Sequence, residues 1–266
     1  MPVANGLYYF FHESRQIEKK LSPLVLIHGA GGNSLSFPPQ IRRMEAGDIY
    51  ALDLPGHGQS QGLGRQSIEE YADEVAAWMK ALKIRRAIFA GVSMGSAIAL
   101  TLALKYPRKA RGLALIGAGA RLRVSPQILD TAGGESTFEA AVDLVNQNCF
   151  SADAPPSLLE LSKRQLMEMR PPTLLGDFLA CNEFNVMERL PEIKTSTLIL
   201  CGAQDKMTPL KYSQYLKDNL PKAQLRVLEN AGHLAMLEQP DVVAELLKAF
   251  VESMPVRARK KNVEQA

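Results

Sequence analysis

The sequence predicts an α/β fold: a mostly parallel central sheet flanked by helices, with a helical segment inserted into it. Three observations carry that prediction. Short apolar runs alternate with helical patterns along most of the chain, which implies a parallel sheet covered on both faces. The later runs read as continuous and are bounded by Gly, Pro or polar residues, as strands buried on both faces should be. The alternation then lapses from about Arg121 to Glu188, where only helical patterns occur. The chain has 266 residues, 46% of them hydrophobic, enough for one large domain or one domain with an insertion.

The strand candidates are Leu7–Phe11, Leu24–Ile27, Ile49–Leu52, Ala87–Ala90, Gly112–Ile116, Thr197–Cys201 and Gln224–Leu228. Among the helices, Ser67–Leu82 opens with S-I-E-E, a capping box with Ser67 as cap and Glu70 three residues on. Met94–Tyr106 stops at Pro107, and Pro209–Leu220 and Asp241–Ser253 complete the core set. The inserted stretch reads as Phe138–Asn148, Ser157–Met169 and Leu174–Met187, separated by "SADAPP" and "RPPT". The expected organisation is therefore a core of residues 1–120 and 189–255, a helical cap at 121–188, and a disordered tail at 256–266. Arg257, Arg259, Lys260 and Lys261 in that tail read as a solvated terminus.

Composition narrows the function. With 31 basic and 28 acidic residues the net charge is +3, too balanced for a nucleic-acid partner. Cys149, Cys181 and Cys201 are scattered without metal-type spacing, which fits reduced thiols in a cytoplasmic protein. The start, MPVANGLYYFFHES, does not read as a signal peptide, and no apolar run is long enough for a membrane span.

The chemistry centres on Gly91-Val92-Ser93-Met94-Gly95, a G-x-S-x-G between an apolar run and a helical one. A sharp strand-to-helix turn drives its central residue to positive φ and requires small flanking residues, because strand and helix approach closely there. Such a turn holds the Ser93 hydroxyl out at the carboxyl end of the sheet. The Met94 N–H then lies at a helix N-terminus, placed to receive negative charge. A serine hydroxyl needs a base. The four histidines are His12, His28, His57 and His233, and the last three all follow strands in glycine-bearing turns, so local context alone does not single one out.

"HGAGG", "DLPGHGQS", "GVSMGS", "GAQDKMTP" and "AGHLAMLEQP" occur in the order found in cap-bearing α/β-hydrolases related to esterases, lactonases and carbon–carbon bond hydrolases, and together span most of the chain. The sequence resembles that family. The resemblance implies a catalytic order of nucleophile, acid and histidine, which falls on Ser93, Asp205 and His233. It places the second oxyanion donor on the Ala30 N–H beside that of Met94, and packs the His28 and His57 loops next to them as structure. The residue reading agrees, since all three triad members follow strands and so sit at the carboxyl edge of the sheet. Some relatives carry the acid after the preceding strand; here that place reads Gly117-Ala118-Gly119-Ala120, without a carboxylate. Asp53 lies in the structural "DLPGHGQS" loop, and serine rather than aspartate at the turn argues against dehalogenation and epoxide opening. "GAGG" lacks both the phosphate-loop lysine and the dinucleotide spacing, so no nucleotide site is implied, and the expected triad chemistry requires no metal or organic cofactor.

The expected activity is a carboxylesterase acting on a small-molecule ester of short to medium acyl chain. A lactonase or carbon–carbon bond hydrolase uses the same triad, although Val92 stands where the latter tend to carry asparagine. A hydrolase-like ligand receptor is the reading from a different class. The Leu-, Met- and Phe-rich cap is expected to be mostly its own core, with a few side chains roofing Ser93, Phe178 first among them.

Overall fold

The computed structural model describes residues 2–15 and 21–254; the basic cluster of the tail lies outside the described residues. The chain builds one eight-stranded sheet among these residues. Its strands are β1 (Val3–Ala4), β2 (Leu7–His12), β3 (Leu24–Ile27), β4 (Ile49–Leu52), β5 (Ala87–Val92), β6 (Ala110–Ile116), β7 (Thr197–Gly202) and β8 (Ala223–Leu228). The spatial order is β1-β2-β4-β3-β5-β6-β7-β8. The β1–β2 and β2–β4 pairs are antiparallel and all the others parallel.

Alternation along the central strands explains their unbroken apolar sequences. Val25, Ile27, Phe89, Leu113 and Leu115 enter the core on one face. Leu24, Leu26, Ile88, Ala90, Ala114 and Ile116 enter the core on the other. Both faces are buried, so both sets must be apolar. The edge strand β8 departs from this expectation: Gln224, Arg226 and Val227 are exposed, as befits the last strand in the sheet order.

Helices α1 (Pro39–Arg42), α2 (Ile68–Ala81), α3 (Met94–Lys105), α8 (Leu210–Asn219), α9 (Ala235–Glu238) and α10 (Pro240–Glu252) cover the sheet. Side chains of α2, α3 and α8 fill one core and those of α1, α9 and α10 the other. The Glu70 N–H donates to Ser67 Oγ at 3.2 Å, the cap the sequence predicts for α2. Helix α3 is buried from Met94 to Ala103, which accounts for its nearly all-apolar sequence.

Between β6 and β7 lie α4 (Pro126–Thr131), α5 (Phe138–Cys149), α6 (Pro156–Met167) and α7 (Pro171–Glu183), followed by a 3-10 turn at Met187–Glu192. Pro156, Pro171 and Pro172 open helices rather than separate them, since the first helical turn needs no N–H donor. These helices share a core of their own that includes Phe138, Val142, Val145, Leu174 and Phe178. Helix α6 meets that core through the partly buried Leu158, Leu159 and Leu166, while Leu161 and Met167 are exposed. Phe184 belongs to the sheet core instead. The two ends of the insertion are tied together, Val186 N–H donating to the Ala120 carbonyl at 2.8 Å.

Candidate active site

The turn after β5 has the predicted geometry. Ser93 sits at φ +53° and ψ −118°, a conformation that stores about 1–3 kcal/mol of backbone strain in a residue other than glycine. A Cβ on Gly91 would lie 2.1 Å from the Gly95 carbonyl oxygen, and one on Gly95 would lie 2.1 Å from that of Ile27. Both contacts are impossible, so strand and helix meet there only as glycines. The loop after β3 closes on the turn as well: a Cβ on Gly29 would stand 3.3 Å from Ser93 Cβ.

Asp205 and His233 are brought together. The His233 Nδ1–H donates to Asp205 Oδ2 at 2.9 Å, and both side chains are buried. Asp205 also accepts from the Thr208 N–H and from the Thr208 hydroxyl, each at 2.8 Å. Burial by itself would raise the Asp205 pKa. The electrostatic attraction of the His233 ring and the hydrogen bonds from His233 and Thr208 outweigh it and hold the carboxyl below the usual range. The carboxylate is thus kept ionised, and it fixes the tautomer that leaves Nε2 free to accept a proton.

Ser93 and His233 face one cavity, together with Gly29 and Ala30. No hydrogen bond joins the Ser93 hydroxyl to the imidazole among the described residues; in the absence of substrate such contacts are often loose and tighten in the complex. Neither the Ala30 nor the Met94 N–H is engaged by another group among the described residues. Of Gly117 at the end of β6, a Cβ would come within 2.8 Å of His233 Nδ1. The position after β6 therefore does reach His233, but carries no side chain.

The cavity measures about 80 Å³. Val145 and Cys149 of α5, Leu166 of α6 and Phe178 of α7 close it from the inserted helices, and Met207, Leu234 and Leu237 from the core. Asn33, Ser36, Ser162 and Gln165 supply its polar lining. Burial first, then the charges of Asp205 and Glu238, pushes the Cys149 thiol up to about 12, so it stays protonated at neutral pH and does not compete as a nucleophile.

His28 and His57 are both buried with their rings tilted against each other, centroids 4.8 Å apart, beside the Gly29–Gly32 loop. Asp53 accepts from the backbone N–H groups of Ser34 and Gln59, at 2.7 and 2.8 Å, and so ties together the loops after β3 and β4. His12 is remote, paired with Glu45 on the sheet's antiparallel side.

Three side chains stand out here that sequence reasoning passed over. Thr208, just before the Pro209 that opens the predicted helix, holds the Asp205 carboxylate by two hydrogen bonds. Glu238 accepts from the Gly232 N–H at 2.6 Å and from the Ser151 N–H at 3.1 Å, so it ties the histidine loop to the end of the inserted helix α5. Asp177 is fully buried against His57, and its one legible signal was a carboxylate inside the apolar run "LLGDFL".

Comparison with known proteins agrees with this architecture. A protein of Azorhizobium caulinodans with the provisional name carbamate hydrolase RutD is 28% identical over 94% of this chain and 98% of its own length. A pimeloyl-[acyl-carrier protein] methyl ester esterase of Neisseria meningitidis is 27% identical over 90% of this chain and 99% of its own. The solved structure of a thermophilic esterase superposes with a TM-score of 0.78 at 31% identity, covering 93% of this chain and 98% of that one. The model of the alpha/beta hydrolase family matches residues 24–246, and the chain belongs to that family.

Proposed function

We propose that the protein is a serine carboxylesterase for esters of short to medium acyl chain. The observation that carries this reading is the buried Asp205–His233 pair opening, with the strained Ser93 and two unengaged N–H groups, onto a single small and mainly apolar cavity. Neutral His233 takes the Ser93 proton as the hydroxyl attacks the ester carbonyl, and Asp205 stabilises the imidazolium that forms. The Ala30 and Met94 N–H groups hold the oxyanion. His233 then protonates the departing alcohol, and water releases the acyl group by the same route in reverse. The inserted helices act as a cap whose side chains limit the acyl group. The esterase names of two relatives support the reaction class.

The test is a panel of p-nitrophenyl esters, lactones and vinylogous diketones with wild type and Ser93→Ala. Multiple turnover of esters that falls by at least three orders of magnitude in Ser93→Ala is expected. Turnover confined to an enol-lactone or diketone would reassign the reaction. Stoichiometric capture without turnover would make the protein a receptor.

A further inference from the structure

We propose that Asp177, carried by the inserted helix α7, is a positioning residue that sets the oxyanion-hole loop through a buried ion pair with His57. The inference deepens the esterase reading and rests on it.

Asp177 is completely buried and gathers three donors. Its Oδ1 accepts from the Tyr71 hydroxyl at 2.6 Å. Its Oδ2 accepts from His57 Nε2 and from the Gly31 N–H, each at 2.8 Å. The third contact matters for chemistry. Ala30 and Gly31 share a planar peptide. Anchoring the Gly31 N–H therefore constrains the backbone of Ala30, whose own N–H is the proposed oxyanion donor. Gly31 itself is at φ +66°, and a Cβ there would come within 2.8 Å of both Leu166 and Leu174. The inserted helices thus touch this loop by apolar contact and by one carboxylate. The residue after Asp177 is Phe178, which lines the cavity. One turn of α7 presents a cavity wall and grips the oxyanion loop.

The charge states follow from the partners. His57 Nδ1 faces the Pro55 carbonyl at 3.0 Å and Nε2 faces the Asp177 carboxylate. Both partners only accept, so both ring nitrogens carry protons and His57 is an imidazolium. Burial by itself would lower its pKa; the charge and hydrogen bond of Asp177, with the Pro55 carbonyl and Asp53, outweigh burial and raise it. The neighbouring His28 stays neutral. Its Nε2 accepts from the Leu54 N–H at 3.0 Å, and burial followed by the His57 charge lowers its pKa to about 3. Tyr71 remains a neutral donor, its ionisation opposed by burial and by Asp177. Among the described residues the carboxylate thus has one buried counter-charge, and breaking such a pair leaves an unsatisfied ion.

Asp177→Asn keeps the shape but removes the charge. With p-nitrophenyl acetate and butyrate, kcat should fall at least tenfold while KM stays within twofold, because an oxyanion donor acts in the transition state. Tyr71→Phe, which leaves Gly31 and His57 bonded, should lose kcat severalfold at unchanged KM. Nitrogen-15 NMR at pH 7 should show both His57 nitrogens protonated in the wild type. Unchanged kcat in Asp177→Asn, a loss confined to KM, or a neutral His57 in the wild type would overturn the proposal. Should Asp177→Asn not fold, Tyr71→Phe decides, and wild-type kcat there overturns it. Absence of any Ser93-dependent ester turnover in the wild type would instead defeat the esterase reading, whatever the state of His57.

Discussion

Phe178→Ala should move the acyl-chain optimum to longer esters, and the structure sets how far. One water needs about 10–15 Å³ on the measure by which this cavity holds about 80 Å³. The wild-type site therefore takes on the order of six heavy atoms, or an acyl group of about four carbons with its ester oxygens. Up to that length each methylene should raise kcat/KM roughly fourfold, from about 0.8 kcal/mol of burial. Beyond it, overpacking should reverse the trend. Phe178 lines this cavity and is itself buried in the core of the inserted helices. Removing its ring should admit about three more methylenes and raise kcat/KM for a heptanoyl ester roughly sixtyfold over wild type. The same change should destabilise the fold by about 3–5 kcal/mol, inside the usual margin of about 5–15 kcal/mol. The assay is a p-nitrophenyl series from acetate to decanoate on both proteins, at a temperature where both melt-checked samples are folded. A flat wild-type series would mean that the inserted helices do not enclose the acyl group. An unmoved optimum in the variant would remove Phe178 from the acyl wall.

Three further outcomes are expected. His233→Ala should match Ser93→Ala in its loss of ester turnover, because the members of a triad act as a unit; a mild loss in a folded variant would remove His233 as the base. Gly117→Ala forces a residue at φ +54° and a Cβ 2.8 Å from His233 Nδ1, so kcat/KM should drop at least tenfold, and wild-type rates would show that the ring is not held there. Acidification should destabilise the fold: His28, its pKa lowered to about 3, refuses a proton that the unfolded chain accepts, so its contribution is lost as pH falls from about 6.5 toward 3. Asp205, also lowered, acts in the same direction further down, whereas the raised His57 loses stability only as pH rises through its folded value. Urea unfolding should give roughly 2 kcal/mol less stability at pH 4.5 than at pH 6.5, and equal values would refute the neutral, buried His28.

Much of the site was legible because it depends on short-range geometry. A serine between glycines at a strand-to-helix junction is required by a turn in which a Cβ at either flank would strike a carbonyl, and the structure puts Ser93 at positive φ there. The unbroken apolar runs of β3, β5 and β6 follow from burial on both faces, and the start of α2 from its Ser67 cap. These signals are written within a few residues of where they act. Other features depended on what a segment meets in space. The polar alternation of β8 reflects its place at the sheet edge, and α6 divides its apolar side chains, Leu158, Leu159 and Leu166 packing inward while Leu161 and Met167 face out. Pairing His57 with Asp177 requires contact across 120 residues, and nothing local marks an aspartate in an apolar helix as the counter-ion of a distant histidine. The sequence by itself determined the central strands and the turn that exposes Ser93, because each is a local steric or burial requirement, while the order of Ser93, Asp205 and His233 was carried by the resemblance to a family. Only the tertiary structure decided which carboxylate holds which loop, because a buried charge is stabilised by whichever partners the completed packing brings within hydrogen-bond reach.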